Sequence, residues 1–294
     1  MTLLKRRLLN PTLRVVGFAR VNSNVRHFIL FSQSARYDME KSTVQFTDDS
    51  SGAMIEKDSL PKSTLLHLIP GAVQVIVFIL LAPFVMSFGY PAGFAFIATN
   101  IFVGIPIMLG YLLYQGKKRN GKLSLRGVIY NRKPMPIWQY AAFFVLLIAV
   151  AFAVLFLTAP INEYLSESVF SWLPAYFKSS TATFAREPTR SLILIMLLLQ
   201  FVTDGLAVPI VEELYYRGHL MPRVDYLLWA APIFDAFLFA IHHFWQPYNY
   251  LLIFLIVLPQ AYVVWRKQNI YIAIMVHCAA NMIGATLSLI GFFS

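Results

Sequence analysis

Acids and imidazoles gather in three short stretches of an otherwise apolar C-terminal half. The first is Pro209-Ile210-Val211-Glu212-Glu213-Leu214-Tyr215-Tyr216-Arg217-Gly218. Pro209 suits the first turn of a helix and Gly218 its end. Glu213 and Arg217 are four apart, so one helical turn joins them as an ion pair. Glu212 lies about 100° around the helix from Glu213 and is left outside that pair. A carboxylate without a cationic neighbour in an apolar site is suited to general-base work. The same residues also read as a structural ion-pair knot at a helix end.

The second stretch is Phe239-Ala240-Ile241-His242-His243-Phe244-Trp245. His243 lies one turn beyond Phe239, so that ring shields one side of the imidazole. His242 points elsewhere and aligns with Asp235, seven residues earlier. Spacing places His243 ahead of His242 as the functional residue, and a structural histidine remains the other reading. The third stretch is His277-Cys278-Ala279-Ala280-Asn281. His277 and Asn281 share a helix face, and their N–H groups suit either a developing oxyanion or a hydrogen bond between helices. Ala279, Ala280, Gly284 and Ala285 allow a neighbouring helix to approach closely.

These residues must be positioned by helices in lipid. The chain has 294 residues, 58% of them hydrophobic and 13% charged. A soluble chain carries roughly 25% charged residues, so too little polar surface is present to cover a water-exposed globule. A spanning helix needs about 20 apolar residues. Spans are expected at about 67–88, 92–114 and 137–159, then from Arg190 into Asp204-Gly205 and Pro209. Three more follow at about 226–245, 249–265 and 269–292. The predicted fold is an all-α, multi-pass bundle of about seven spans. A charge inside a span costs ~2.5–3.5 kcal/mol on insertion scales, which marks such residues as functional candidates. Asp204, Glu212, Glu213, Arg217, Asp235, His242, His243 and His277 lie in or beside spans four to seven, and spans one to three have none. The chemistry is therefore expected in the C-terminal half. The single cysteine, Cys278, excludes an internal disulfide and a cysteine-based zinc cluster.

The net charge of +10 is an orientation signal rather than a nucleic-acid footprint. Its basic residues concentrate in the N-terminal tail and in the loop 115–136, which places both on the inner side. Arg266-Lys267 falls on that side too, and the segment 161–189 lies outside. Residues 1–37 are rich in Arg and hold no acid, which reads either as an organellar transit peptide or as a plain tail. Residues 38–62 read as a disordered linker, so that 1–66 forms one basic N-terminal tail. No internal repeat is visible. An integral membrane protein of a bacterial inner membrane or an organelle is expected, with lipid as its surroundings and no nucleic-acid partner.

Glu-Glu-x-x-x-Arg at 212–217, Phe-x-x-x-His at 239–243 and His-x-x-x-Asn at 277–281 together resemble the CAAX protease and bacteriocin-processing family. Those proteins are multi-pass intramembrane endopeptidases, also called type II CAAX prenyl endopeptidases. The resemblance covers about 190–292. It implies that Glu212 and His243 activate a water and that His277 and Asn281 hold the tetrahedral oxyanion. It assigns Glu213, Arg217 and Phe239 to support. The implied substrate is a membrane-associated peptide or protein. Processing of prenylated CAAX termini is the family's best-known reaction, but these residues do not establish prenyl recognition.

The family has also been classed with metalloproteases, and Glu212, His243 and His277 make a possible zinc set. The sequence lacks a His-Glu-x-x-His helix, so a water activated without a catalytic metal is the expectation. Straight, antiparallel spans four and five would hold Glu212 and His243 at opposite faces. The resemblance therefore requires a broken or re-entrant segment near 204–222, which is permitted where backbone lines a cavity. Two other readings stand beside the peptidase. One is an inactive scaffold or immunity-type member of the fold. The other is a transporter, which would call for matching broken helices in two halves.

Overall fold

A computed structural model describes residues 55–178 and 188–293. The transit-like segment 1–37 and most of the linker 38–62 lie outside the described residues. Every long element is helical, because apolar backbone in lipid must satisfy its own hydrogen bonds. The first helices are α1 (Leu60–Ser87), α2 (Ala92–Asn120) and α3 (Ile137–Val169). Then come α4 (Arg190–Val202), α5 (Val208–Tyr215) and α6 (Ala231–His242). The last two are α7 (Tyr250–Lys267) and α8 (Tyr271–Phe293). Among the described residues six stretches are long and apolar enough to cross a membrane, one of them the run Arg190–His242. The protein is an integral multi-pass membrane protein with an all-α fold.

The run Arg190–His242 contains what the sequence presents as spans four and five. As one straight helix its 53 residues would reach about 80 Å, far beyond a bilayer. It folds back instead. A π-helical turn at Thr203–Ala207 and another at Tyr216–Leu220 flank α5. A 3-10 stretch, Met221–Ala230, then reverses direction with non-helical backbone at Val224 and Leu228. The Arg217 guanidinium consequently lies 3.9 Å from the centroid of the Phe239 ring, 22 positions along the chain. The expected break near 204–222 is present, and it continues to Ala230.

A π-turn displaces carbonyls from the helical ladder, and those groups need other partners. The basic loop between α2 and α3 supplies them. Tyr130 donates its backbone N–H to the Gly218 carbonyl at 2.7 Å, and the Asn131 side chain donates to the Arg217 carbonyl at 2.9 Å. His219 Nδ1–H donates in turn to the Val128 carbonyl at 2.8 Å. Gly218, expected to end a helix, is instead a close-packing position. A Cβ there would lie 2.7 Å from an Ile270 methyl and 3.0 Å from one of Ile129. Loop residues Val128, Ile129 and Tyr130 are buried accordingly.

The first helix begins at Leu60, seven residues before the expected boundary, and the residues ahead of it are pinned. Asp58 takes two hydrogen bonds from Arg223, at 2.6 and 3.0 Å, and a salt bridge from Lys62 at 2.6 Å. Its backbone N–H bonds the Arg223 carbonyl, and Tyr226 donates to its own carbonyl. Burial disfavours the charged form of Asp58, but Arg223 and Lys62 outweigh it and hold the carboxyl below its ordinary range. The described part of the expected linker is thus tied to the turn after α5. At the same end, Lys133 and Asn131 bond the Gln268–Ile270 backbone, so both basic turns share one side of the bundle.

Helices α1 and α6 run side by side in the same direction. His67 meets Asp235 near their starts, and Gly71 meets His242 one turn further along α1 and about two turns further along α6. Gly71 lies about 16 Å along α1, near mid-depth for a helix of 28 residues. Because α6 has only 12 residues, its last turn also stops at mid-depth. This short helix removes the separation that straight spans would impose.

Candidate functional site

Glu212 sits on α5, whose proline at the first turn accepts the loss of an N–H. The carboxylate is 4% exposed. His243 caps α6, where the backbone leaves the helix, and its Nδ1–H donates to the Phe239 carbonyl at 2.8 Å. A carbonyl only accepts, so this bond fixes the tautomer and leaves Nε2 with a free lone pair. Phe239 packs edge-on against the same ring, centroid to centroid 4.9 Å. His277 and Asn281 are contributed by α8. His277 Nδ1–H donates to Glu213 Oε1 at 2.9 Å, while its Nε2 lies 3.8 Å from Glu212 Oε2. Asn281 donates one Nδ2 hydrogen to the Asp204 carbonyl at 2.8 Å, which leaves the second hydrogen free.

Glu212, His243, His277 and Asn281 all line one cavity of about 400 Å3. The helix α3 walls it on one side through Leu147, Ala151 and Leu155, with Leu252 and Ile256 of α7 nearby. Polar groups from the N-terminal half also reach the cavity. Gln74 of α1 hydrogen-bonds Asn100 of α2, and Asn100 donates to Asp204 Oδ1 at 2.7 Å. The sequence reading confined the chemistry to the C-terminal half because it followed formal charge. Amides carry none, and they were missed for that reason. A Gln or Asn within a long apolar run is the signal that would have pointed to them.

Beneath the cavity lies a buried ionic group. Glu213 Oε1 accepts from Arg217 at 3.1 Å, Gln260 at 2.9 Å and His277. Arg217 Nε is 3.1 Å from Asp235 Oδ2, a charge contact rather than an aligned hydrogen bond. Asp235 Oδ1 lies 3.3 Å from His67 Nε2, and His67 Nδ1–H donates to the Ser63 carbonyl at 2.7 Å. Both nitrogens of His67 therefore face acceptors. The i, i+4 pair of Glu213 and Arg217 is as the spacing predicts. Asp235, in contrast, pairs with Arg217 and His67 and not with His242. His67 lay outside the sequence reading, as the one histidine in a 54-residue stretch without Asp, Glu, Lys or Arg.

The two adjacent histidines differ. His243 lines the cavity, whereas His242 is fully buried behind it. Neither ring nitrogen of His242 has a hydrogen-bond partner. One ligand atom each from Glu212, His242 and His243 lies within 4.8 Å of the others. Among the described residues this group could converge on a metal ion, and it shares Glu212 and His243 with the set the sequence suggests.

Residues 195–283 match the family model described as Type II CAAX prenyl endopeptidase Rce1-like. That segment holds all three motifs and agrees with the resemblance they carry. No curated protein and no solved structure matches the chain.

Proposed function

Starting from a membrane core that matches the type II CAAX prenyl endopeptidase Rce1-like family, we propose that this protein is an intramembrane endopeptidase. It hydrolyses a peptide bond of a membrane-associated protein or peptide, using a water activated by Glu212 and His243. The observation that carries this reading is that Glu212, His243, His277 and Asn281 line one cavity.

The attacking water sits between the Glu212 carboxylate and His243 Nε2, donating one proton to each. Its oxygen adds to the scissile carbonyl as Glu212 takes the first proton. The resulting oxyanion lies against His277 Nε2–H and the free Asn281 Nδ2–H. With Nδ1–H committed to Glu213, His277 needs both ring protons for this task, and Glu213 supplies the countercharge. Collapse of the intermediate breaks the C–N bond, and Glu212 returns its proton to the leaving amine. Glu213, Arg217 and Phe239 act on the support side, fixing His277 and His243 in place.

The apolar wall from α3 and α7 suits an apolar or lipid-modified substrate segment, such as a prenylated CAAX terminus. The deciding experiment is cleavage of prenylated and unmodified membrane peptides by purified protein in liposomes, with Glu212→Ala and His243→Ala beside wild type. Loss of cleavage in both variants is the expected result. Full activity in both would overturn the assignment.

A further inference from the structure

His242 is the ionisable group that the proposed mechanism leaves unused. Its imidazole is 0% exposed, and both ring nitrogens lack a hydrogen-bond partner. A buried polar group without a partner costs ~1–3 kcal/mol. A residue retained at that cost, where an apolar ring of similar size would pack, calls for a ligand.

The surroundings hold the ring firmly. Tyr216 and Trp245 pack edge-on against it, and Phe239 stacks on it. From the other side comes the α1 backbone at Gly71, where a Cβ would lie 2.7 Å from His242 Cδ2 and 2.0 Å from its carbonyl oxygen. Only a residue without a side chain lets α1 and α6 meet here. Glu212 and His243 complete a triangle with it, one ligand atom from each lying within 4.8 Å of the others. With His243 Nδ1 bonded to the Phe239 carbonyl, it is Nε2 that is left for a ligand. The bond from His243 Nδ1–H to the Phe239 carbonyl is the outer contact that orients a metal-ligating imidazole.

We propose that Glu212, His242 and His243 form a binding site for a zinc-class divalent cation, and that the bound ion silences the peptidase. Two imidazoles and one carboxylate match the preference of Zn2+, whereas Mg2+ and Ca2+ select oxygen ligands. Tetrahedral bonds of ~2.0–2.1 Å place ligand atoms ~3.4 Å apart, so side-chain rotation closes the triangle around the ion. The silencing rests on the peptidase reading, because the ion occupies the carboxylate and the Nε2 lone pair that activate water there. Binding itself does not rest on that reading.

The test uses untagged full-length protein in detergent, stripped with a chelator and dialysed against zinc. Elemental analysis should return about one tightly held zinc per chain. His242→Phe should weaken binding by more than ~10-fold, since loss of even an outer-shell partner costs that much. X-ray absorption of the wild-type zinc complex should show two imidazoles and an oxygen donor, a readout that needs no variant to fold. In liposomes zinc should slow cleavage, and His242→Phe should raise the inhibitory concentration by the same factor. No stoichiometric zinc in the wild type, unchanged affinity in a folded His242→Phe protein, or fewer than two imidazoles would each overturn the site. Dialysis and absorption need no cleavage, so failure of the peptidase reading leaves them interpretable.

Discussion

Two sets of ionisable side chains are each anchored in the segment 208–220, one through Glu213 and Arg217 and the other through Glu212, and they meet opposite conditions. On one side Glu213, Arg217, Asp235 and His67 form a closed group in which Arg217 lies between two carboxylates and His67 borders Asp235. On the other side Glu212 has the His277 ring at 3.8 Å, and His243 offers a bare Nε2 to a cavity. Glu212 is nearly as buried as Glu213, so burial does not separate these two carboxylates. Completeness of pairing does. A closed group is inert because any proton transfer would strand a charge, and such a group serves to hold geometry. A group with one side open retains the capacity to take up a proton or a ligand. The Glu-Glu doublet thus places a scaffold carboxylate and a proposed reactive one on adjacent residues.

The difference breaks most clearly at Glu212. Glu212→Gln should lower peptide cleavage by ~10²–10⁴-fold, the usual contribution of a general base. Thermal unfolding in detergent should hardly move, because the amide is isosteric and no partner of Glu212 is left unpaired. A melting shift as large as that of a knot variant would erase the distinction between the two sets. Arg217→Met tests the other side. It leaves Glu213 and Asp235 without their cation, and breaking a buried pair costs ~3–5 kcal/mol. The loss should appear as a lowered unfolding midpoint. Combining Arg217→Met with Asp235→Asn should cost less than the two single changes added together, because the second removes a charge that the first stranded.

Gly71→Ala should have a smaller effect. The new Cβ would overlap the His242 carbonyl oxygen, so α1 must move, and overpacking of this kind costs ~1–3 kcal/mol. The same variant sharpens the comparison by disturbing the open side alone, since His67 sits one turn earlier on α1 and Asp235 two turns earlier on α6. Cleavage should fall along with the unfolding midpoint, whereas a change on the lipid-facing surface of α3 should alter neither.

Much of the open side was legible in the sequence. Charges and histidines are rare in apolar helices, and each one stands out against a background of Leu, Ile and Phe. The break in the fourth span was also legible, because Glu212 and His243 could not otherwise meet. What positions these residues was hidden. His67 and Asp235 are 168 residues apart, and Asn131 reaches the Arg217 carbonyl across 86. Nothing local marks such pairs, because they exist only once helices have packed. Gly71 reads as one more small residue in a span, and the loop 115–136 reads as an orientation signal. Its second task, closing the carbonyls of a π-turn, follows from a backbone irregularity that periodicity does not show.

The smallest expected effect concerns the end of the bundle, where Asp58 ties the start of α1 to the turn that follows α5. Asp58 itself precedes the first spanning helix, and against the opposing effect of burial it is held below its ordinary carboxylate range by Arg223 and Lys62. A group whose folded form is the stronger acid stabilises at pH values above its unfolded pKa, ~3.9 for Asp, and loses that contribution as pH falls through the folded value. Asp58→Asn should therefore cost stability near neutral pH and nothing at strongly acidic pH, where the wild-type carboxyl is also protonated. The amide keeps part of the contact with Arg223, so the neutral-pH loss should stay below the ~1.5–3 kcal/mol of a charged hydrogen bond. Unfolding midpoints of both proteins, followed from pH 7 downward, should converge. Because the turn at 221–230 sets where α6 begins, the same variant should loosen the registry of His242 with Gly71 and lower cleavage modestly at pH 7. Parallel curves for the two proteins across the whole titration would show that the Asp58 charge does not hold this end of the site in place.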